Sequence, residues 1–113
     1  MRGHGLERNA ADETFGFGVV FSDPTLARLA KLDPRMYEQL LENSVRWAPL
    51  EVRTGGRTVR ADGQGFSAIA RVRLLSILQR NAREAGVDVR FETESPDVAS
   101  VSDEYDLIIA ADG

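Results

Sequence analysis

The feature that most constrains the fold is an uninterrupted apolar run, Leu-Ile-Ile-Ala-Ala, at residues 107–111. Tyr-Asp precedes the run and Asp-Gly follows it, so polar and turn-forming residues lie on both sides. Continuous apolar runs of this length are typical of parallel strands buried on both faces, whereas strands with one wet face alternate. The run therefore predicts a strand near residues 106–111 in a parallel sheet, and hence an α/β fold.

A helix and a second strand precede this run. Residues 71–85 have an apolar face at three- and four-residue steps, which predicts a helix. The face contains Val72, Leu75, Ile77, Leu78 and Ala82. Gly86 follows, and glycine commonly ends a helix in the left-handed conformation. Residues 87–93 then alternate apolar and charged side chains, which predicts a strand with one wet face.

Two proline signals organise the N-terminal half. Pro24 and Pro34 each follow an aspartate, and aspartate before proline is typical of a helix start. The apolar spacing behind them predicts helices over residues 24–45. Two extended runs around a Gly-Gly pair then predict a β-hairpin near 47–61. Shorter apolar runs at 18–21 and 66–70 predict two more strands.

Composition excludes several classes of function. Fourteen Lys and Arg against eighteen Asp and Glu give a net charge of −4, which argues against a nucleic-acid partner. The chain has no cysteine and one histidine, His4, so we expect no disulfide and no metal site. No apolar run approaches the roughly 20 residues of a membrane helix. We expect no membrane association and a cytoplasmic location.

The 113 residues fit one domain of ordinary size. Residues 1–5 resemble an expression tag, and we leave them out of the expected fold. A Gly-x-Gly occurs at Gly3-His4-Gly5, but no strand precedes it and no third glycine follows at the right step. It is therefore not taken as a dinucleotide-binding turn.

Four segments carry a family resemblance: residues 6–9 (Leu-Glu-Arg-Asn), 14–23 (Thr-Phe-Gly-Phe-Gly-Val-Val-Phe-Ser-Asp), 65–78 with its R-x-x-L pattern, and 106–113, ending in Asp-Gly. Together and in this order they resemble the FAD-dependent aromatic monooxygenases of the p-hydroxybenzoate-hydroxylase-like group. Within them, residues 16–23 (Gly-Phe-Gly-Val-Val-Phe-Ser-Asp) most resemble the branch that acts on acyl-CoA-linked aromatics.

The resemblance implies that residues 6–113 are an incomplete, partial Rossmann-like FAD-binding domain. Members of the family hydroxylate aromatic rings with FAD, NAD(P)H and O₂, which implies an aromatic or aromatic acyl-CoA substrate. Glu7 matches the acidic residue that binds the adenosine ribose, and Arg8 matches a basic neighbour near the adenosine or pyrophosphate. Arg71 matches the helix-start arginine that faces the cofactor, and Asp112 and Gly113 match a loop that contacts ribityl or pyrophosphate groups.

The family's Gly-x-Gly-x-x-Gly turn and its later Gly-Asp motif have no counterpart in these residues. The backbone amides of such a turn hold the pyrophosphate. We therefore expect the chain to hold about half of a flavin site, and to be inactive alone. No residue of the chain is expected to be catalytic.

Simpler interpretations remain open. Glu7 and Arg8 also fit a solvated charge pair, and Arg71 also fits a surface arginine, although a cation at a helix start is unfavourable. Phe15, Phe17 and Phe21 fit a hydrophobic core better than a shelf for a flavin ring. The functional alternative is a non-enzymatic α/β module that forms homo-oligomers through open sheet edges or strand exchange. A complete small enzyme of unrelated chemistry is disfavoured by the single histidine and the lack of cysteine.

Overall fold

The computed structural model describes residues 2–111, which contain both strands and helices, as the predicted α/β class requires. The predicted fold class is confirmed. In chain order the elements are β1 (His4–Leu6), β2 (Gly18–Ser22), α1 (Asp23–Leu32), α2 (Pro34–Glu42), β3 (Val45–Trp47), β4 (Leu50–Thr54), β5 (Arg57–Ala61), β6 (Phe66–Ala70), α3 (Arg71–Glu84), β7 (Asp88–Arg90) and α4 (Val98–Val101).

The chain divides into two compact units. The first, called the core unit below, comprises residues 12–81. The second, called the parallel unit, combines the segment up to Ala11 with the segment from Ala82 onward. None of the helices in the described part of the chain is long and apolar enough to cross a membrane.

An antiparallel three-stranded sheet forms the base of the core unit, in the order β2-β6-β3. Ser67 lies at its centre, in register with Phe21 on one neighbouring strand and Arg46 on the other. Because side chains alternate along a strand, Ser67 and Ile69 share one face of the sheet. Both are almost fully buried, so this face is the one covered by the core.

The region predicted as helices 24–45 contains two helices, and its last residue lies in β3. Asp33 ends α1 by donating its N–H to the carbonyl of Leu29, and its own carboxylate accepts from the N–H of Met36 at 2.9 Å. Asp33 is non-helical, with φ −145° and ψ 85°, because a residue before proline is disfavoured in the α region. The polypeptide therefore turns at Asp33 and starts α2 at Pro34.

The hydrophobic core of the described residues lies in the core unit. Half-buried apolar side chains such as Val19 and Leu74 pack against it. Its buried members come from α1, α2, β6 and α3, and are Leu26, Met36, Leu40, Ile69 and Ile77. Each of these helices thus presents an apolar stripe to one sheet face, as expected for a helix-on-sheet layer.

The predicted hairpin is present, but its first strand begins at Leu50. Gly55 and Gly56 have φ values of 54° and 75°, the left-handed geometry that a type I′ turn requires at both positions. Trp47, which we placed at the start of the hairpin, belongs to β3 instead and stacks on Phe66 with ring centroids 5.9 Å apart. The difference arises because β3 finds a hydrogen-bonding partner in β6.

In the parallel unit, β1 and β7 form a two-stranded parallel sheet. The strand predicted near 87–93 is confirmed in type but spans only Asp88–Arg90. His4 and Gly5, which we left out of the expected fold, pair with Asp88 and Val89 as part of β1. The predicted helix over 71–85 ends at Glu84, and Gly86 follows with φ 81°.

The strand predicted near residues 106–111 is not formed. Leu107 is 75% exposed and Ile109 is 77% exposed, and no other segment within residues 2–111 pairs with this run. A strand exists only where a neighbour satisfies its backbone N–H and C=O groups. The run is apolar, but none of the described residues forms the backbone pairing that a buried strand requires.

Candidate functional site

Glu7 lies directly after β1, at the carboxyl end of the parallel strand pair. Its N–H donates to the carbonyl of Arg90 at 2.9 Å, and its own carbonyl accepts from the N–H of Thr93 at 3.0 Å. The exposed Glu7 carboxylate accepts from the N–H of Asn9 at 2.8 Å. A carboxylate has about four acceptor positions, so this bond leaves most of them available to a ligand. Arg8 follows in the same loop and is exposed.

Arg71 is the first residue of α3, which begins directly after β6. The Arg71 side chain is half-buried, and its Nε is shielded from solvent without a hydrogen-bond partner among the described residues. A buried donor on a charged group is costly when unpaired, because it loses its hydration without compensation. This geometry would be relieved by an anion at the guanidinium.

The loop before β2 approaches this arginine. The carbonyl of Phe17 accepts from the N–H of Arg71 at 3.1 Å. Gly16 has φ 84°, and a Cβ there would stand 4.0 Å from the Cζ atom of Arg71. The glycine therefore allows a left-handed turn within van der Waals distance of the guanidinium.

The aromatic residues of this segment are not all core residues. Phe15 is 77% exposed and Phe17 is fully exposed, so their predicted core placement is wrong. Phe21 is half-buried and packs against the core as predicted. The difference follows from register: Phe21 lies inside β2, opposite Ser67, whereas Phe15 and Phe17 precede the strand.

A charged node that the sequence analysis missed joins α1, β3 and the segment before β6. The Asp23 carboxylate accepts from Nη2 of Arg46 at 2.8 Å and from the N–H of Gly65 at 2.9 Å. The hydrogen bond from Arg46 lowers the pKa of Asp23, against an opposing effect of desolvation. Asp23 raises the pKa of Arg46 in return. The two residues are 23 positions apart, so no local pattern indicated the pair.

The same node borders a pocket of about 280 Å³ on the surface of the core unit. Leu26 and Leu41 supply part of its wall, next to the hydroxyl-bearing ring of Tyr37. A Cβ at Gly65 would lie 2.6 Å from Oδ2 of Asp23, so only glycine fits under the ion pair without displacing it. The node therefore acts as a structural clamp at the edge of this pocket.

The parallel unit has a smaller charged cluster of its own. Asp88 accepts from Nε of Arg90 at 2.9 Å, and Nδ1 of His4 lies 3.5 Å from its Oδ2. The hydrogen bond from Arg90 is the main cause of the lowered pKa of Asp88. The His4 ring also contacts the edge of Tyr105, with centroids 5.8 Å apart. These contacts stabilise the β1–β7 pair. None of the residues in this cluster is predicted to bind a ligand.

The structure thus brings Glu7 and Arg8 together at one strand end of the parallel unit. Arg71 belongs to the core unit, where it lies beside the Phe15–Phe17 loop. Asp112 and Gly113 lie outside the described residues.

The fold has a counterpart among solved structures. A crystal structure of a single-residue mutant of MHPCO matches 80% of this chain with a TM-score of 0.67 and 21% identity, over 25% of the MHPCO chain. At that identity the match shows the fold. No family model matches the sequence.

The sequence itself is similar to a curated enzyme. It is 46% identical over 108 residues to salicyloyl-CoA 5-hydroxylase from Streptomyces sp, a stretch that covers 96% of this chain and 21% of that enzyme. Identity this high over nearly the whole chain establishes common ancestry, and the predicted resemblance to the FAD-dependent aromatic hydroxylases is confirmed. The chain spans about a fifth of the length of this relative.

Proposed function

We propose that this chain contributes to the FAD site of an aromatic-ring hydroxylase that uses NAD(P)H and O₂. The observation that carries the proposal is the buried, unpartnered Nε of Arg71. It occurs at the residue that the family resemblance assigns to the cofactor. The 46% identity to an enzyme named for salicyloyl-CoA supports an aromatic acyl-CoA as the substrate class.

Arg71 fits a phosphate oxygen of the cofactor. A guanidinium binds phosphate through paired, charge-assisted hydrogen bonds that are stronger than those between neutral groups. Nε is one of its donors and lacks a partner among the described residues. Binding of a phosphate at Arg71 would supply that partner and remove the cost of the unpaired donor.

Glu7 fits the adenosine ribose. A carboxylate at the carboxyl end of a parallel strand is placed to accept hydrogen bonds from ribose hydroxyl groups, and the exposed Glu7 has acceptor positions left after its bond to Asn9. We propose Arg8 as a basic neighbour of the nucleotide. Asp112 and Gly113 are proposed from the resemblance alone.

A flavin held by these residues would supply the redox chemistry, which in this family is reduction by NAD(P)H and reaction with O₂. The residues of this chain bind and orient the nucleotide. None of them is proposed to transfer a proton or attack a substrate, and the chain by itself is therefore proposed to be inactive.

An NMR titration of the chain with FAD at up to millimolar concentration tests the proposal. We expect weak, reversible binding, because the chain carries only part of the family's motifs. Arg71→Gln should weaken this binding at least about tenfold, since hydrogen bonds to charged groups contribute about 1.5–3 kcal/mol. Arg80→Gln is the matched control, because Arg80 is an exposed arginine on the same helix.

Absence of FAD binding by the unchanged chain would contradict the proposal. Stoichiometric retention of flavin through gel filtration would contradict a different part of it, namely the claim that the chain holds only part of a site. Equal weakening by Arg71→Gln and Arg80→Gln would show that positive charge on α3, rather than Arg71, attracts the nucleotide.

The second candidate function is self-association of a non-enzymatic module. Two observations favour it: within residues 2–111 the β1–β7 sheet has two strands and hence two edges, and Leu107 and Ile109 are exposed. Open strand edges invite pairing with another chain. Light scattering tests it: we expect the mass to rise with concentration, and a constant monomer mass at high concentration would exclude this function.

A further inference from the structure

We propose that Phe17, flanked by Phe15, forms an aromatic contact for a planar ring of a phosphate-bearing nucleotide, next to Arg71. The inference rests on the proposed function and adds a residue pair to it that has no assigned role. It combines three observations on one loop: two exposed aromatic rings, a buried unpartnered cationic donor, and a glycine turn that holds the loop against that cation.

The exposure of these rings is unusual for their residue type. Phenylalanine is among the residues most often buried, yet Phe17 is fully exposed and Phe15 is 77% exposed. Only one residue separates them. Phe21 shows that a ring four residues further along can reach the core. The two exposed rings therefore form a local apolar surface.

The backbone fixes the position of this surface. Gly18 is in register with Ala70 at the end of the β2–β6 pair. The hydrogen bonding continues by one residue beyond the strands, because the N–H of Arg71 donates to the carbonyl of Phe17 at 3.1 Å. Phe17 is thus attached to the sheet at the residue where α3 begins. The aromatic surface and the arginine are held by the same hydrogen bonds.

Gly16 brings the loop to the arginine side chain. A Cβ at Gly16 would lie 4.0 Å from Cζ of Arg71, and its φ of 84° is strained for any residue with a side chain. The turn therefore places Phe15 and Phe17 on either side of a residue that faces the guanidinium. A ligand held at Arg71 by an anionic group would extend along this loop.

A nucleotide combines the two chemistries that the loop offers. Its phosphate suits Arg71, and its planar ring suits an exposed phenyl ring, which stacks in an offset or edge-on arrangement. FAD contains two such rings, the flavin and the adenine, and both share this chemistry. FMN carries only the flavin ring and ADP only the adenine ring. Comparing these two ligands therefore shows which ring of FAD contacts Phe17.

The test is an NMR titration of the unchanged chain and the variants Phe17→Ala and Phe17→Trp with FAD, FMN and ADP. Phe17→Ala should weaken FAD binding at least about fivefold, which corresponds to about 1 kcal/mol, the lower end of what stacking on an aromatic side chain contributes. We expect the ring protons of the ligand to shift upfield on the unchanged chain and to lose that shift on Phe17→Ala. Phe17→Trp should restore both.

FMN and ADP identify the ring. Weakening by Phe17→Ala of FMN but not ADP binding would assign the contact to the flavin, and the converse would assign it to the adenine. Val59→Ala is the matched control, because Val59 is an exposed apolar residue on the hairpin strand β5. It should leave all three affinities and the ring shifts unchanged.

Two results overturn the inference in distinguishable ways. Equal affinities and equal ring shifts for Phe17→Ala and the unchanged chain, with Arg71→Gln still weakening FAD binding, would refute the aromatic contact and leave the proposed function intact. Failure of the unchanged chain to bind FAD, FMN and ADP would refute the proposed function, and the aromatic contact with it.

Discussion

The two units of this chain contain similar elements but differ in what covers them. In the core unit, three helices bring apolar side chains onto one face of a three-stranded sheet, and five apolar residues become buried. In the parallel unit, none of the described residues is fully buried, although β1 and β7 pair in register. Strand pairing alone therefore does not produce a core, because the stabilising contribution comes from apolar area removed from water.

The comparison also explains why two apolar sequences differ in burial. Ile69, in β6, is 2% exposed, whereas Ile109 is 77% exposed. Both lie in apolar runs that we predicted to be strands. The first has strands on both sides and helices over one face, and the second has no paired strand among the described residues. A two-stranded sheet is of marginal stability in water without further packing.

The largest expected effect is loss of core packing in the core unit. Leu40→Ala should lower the free energy of unfolding by about 2–5 kcal/mol, because Leu40 is 1% exposed and its truncation leaves a cavity. The matched change in the parallel unit, Ile109→Ala, should cost no more than about 0.5 kcal/mol. Urea unfolding followed by circular dichroism measures both. Similar costs would show that the exposed run contributes to a core after all.

A smaller effect is expected at the helix caps. Asp33→Ala removes the carboxylate that accepts from the N–H of Met36 and should cost about 1 kcal/mol. Asp97 accepts from the N–H of Ala99 at 3.2 Å, but α4 has four residues and none is buried. Asp97→Ala should therefore leave the urea midpoint within error of the unchanged chain. An equal loss from both variants would contradict the difference between the units.

The smallest expected effect is on pH dependence. Hydrogen bonds from arginine lower the pKa of Asp23 in the core unit and of Asp88 in the parallel unit. A lowered folded-state pKa gives stability that is present above the carboxyl's unfolded value, near 4, and is lost as the pH falls through the folded value. Acid should therefore weaken both units below about pH 4.

Hydrogen exchange with NMR detection separates the two carboxyls. Asp23→Asn should remove part of the acid dependence of protection in β6, and Asp88→Asn should not alter it. The reverse should hold for β7. If Asp88→Asn changed β6 as much as Asp23→Asn does, the division of the chain into separately stabilised units would be wrong.

Much of the secondary structure could be predicted because its signals are local. Pro24 and Pro34 mark helix starts through their fixed φ, Gly55-Gly56 permits a hairpin turn, and the apolar spacing of α3 is that of a helix. The assignment of residues 45–47 to β3 was missed, because pairing with β6 is a long-range property. The same reason accounts for the unformed strand near 106–111.

For the candidate site, too, local features were predicted from the sequence and long-range features were not. The segment at residues 65–78 predicted that Arg71 would begin a helix, and it does, while Glu7 directly follows β1. Their sequence context could not show that Arg71 has a buried, unpartnered Nε, or that Phe15 and Phe17 are exposed. It also could not show the Asp23–Arg46 pair, which forms only when α1 and β3 meet.

By itself, the sequence determined the α/β class, the order of most elements and the resemblance to aromatic hydroxylases, because periodicity, turn residues and short motifs are properties of neighbouring residues. The tertiary structure alone decided which apolar runs are buried, which charges are paired and which rings are exposed. Those properties depend on which distant segment lies alongside, and therefore on packing and hydrogen bonding between residues that are far apart in the chain.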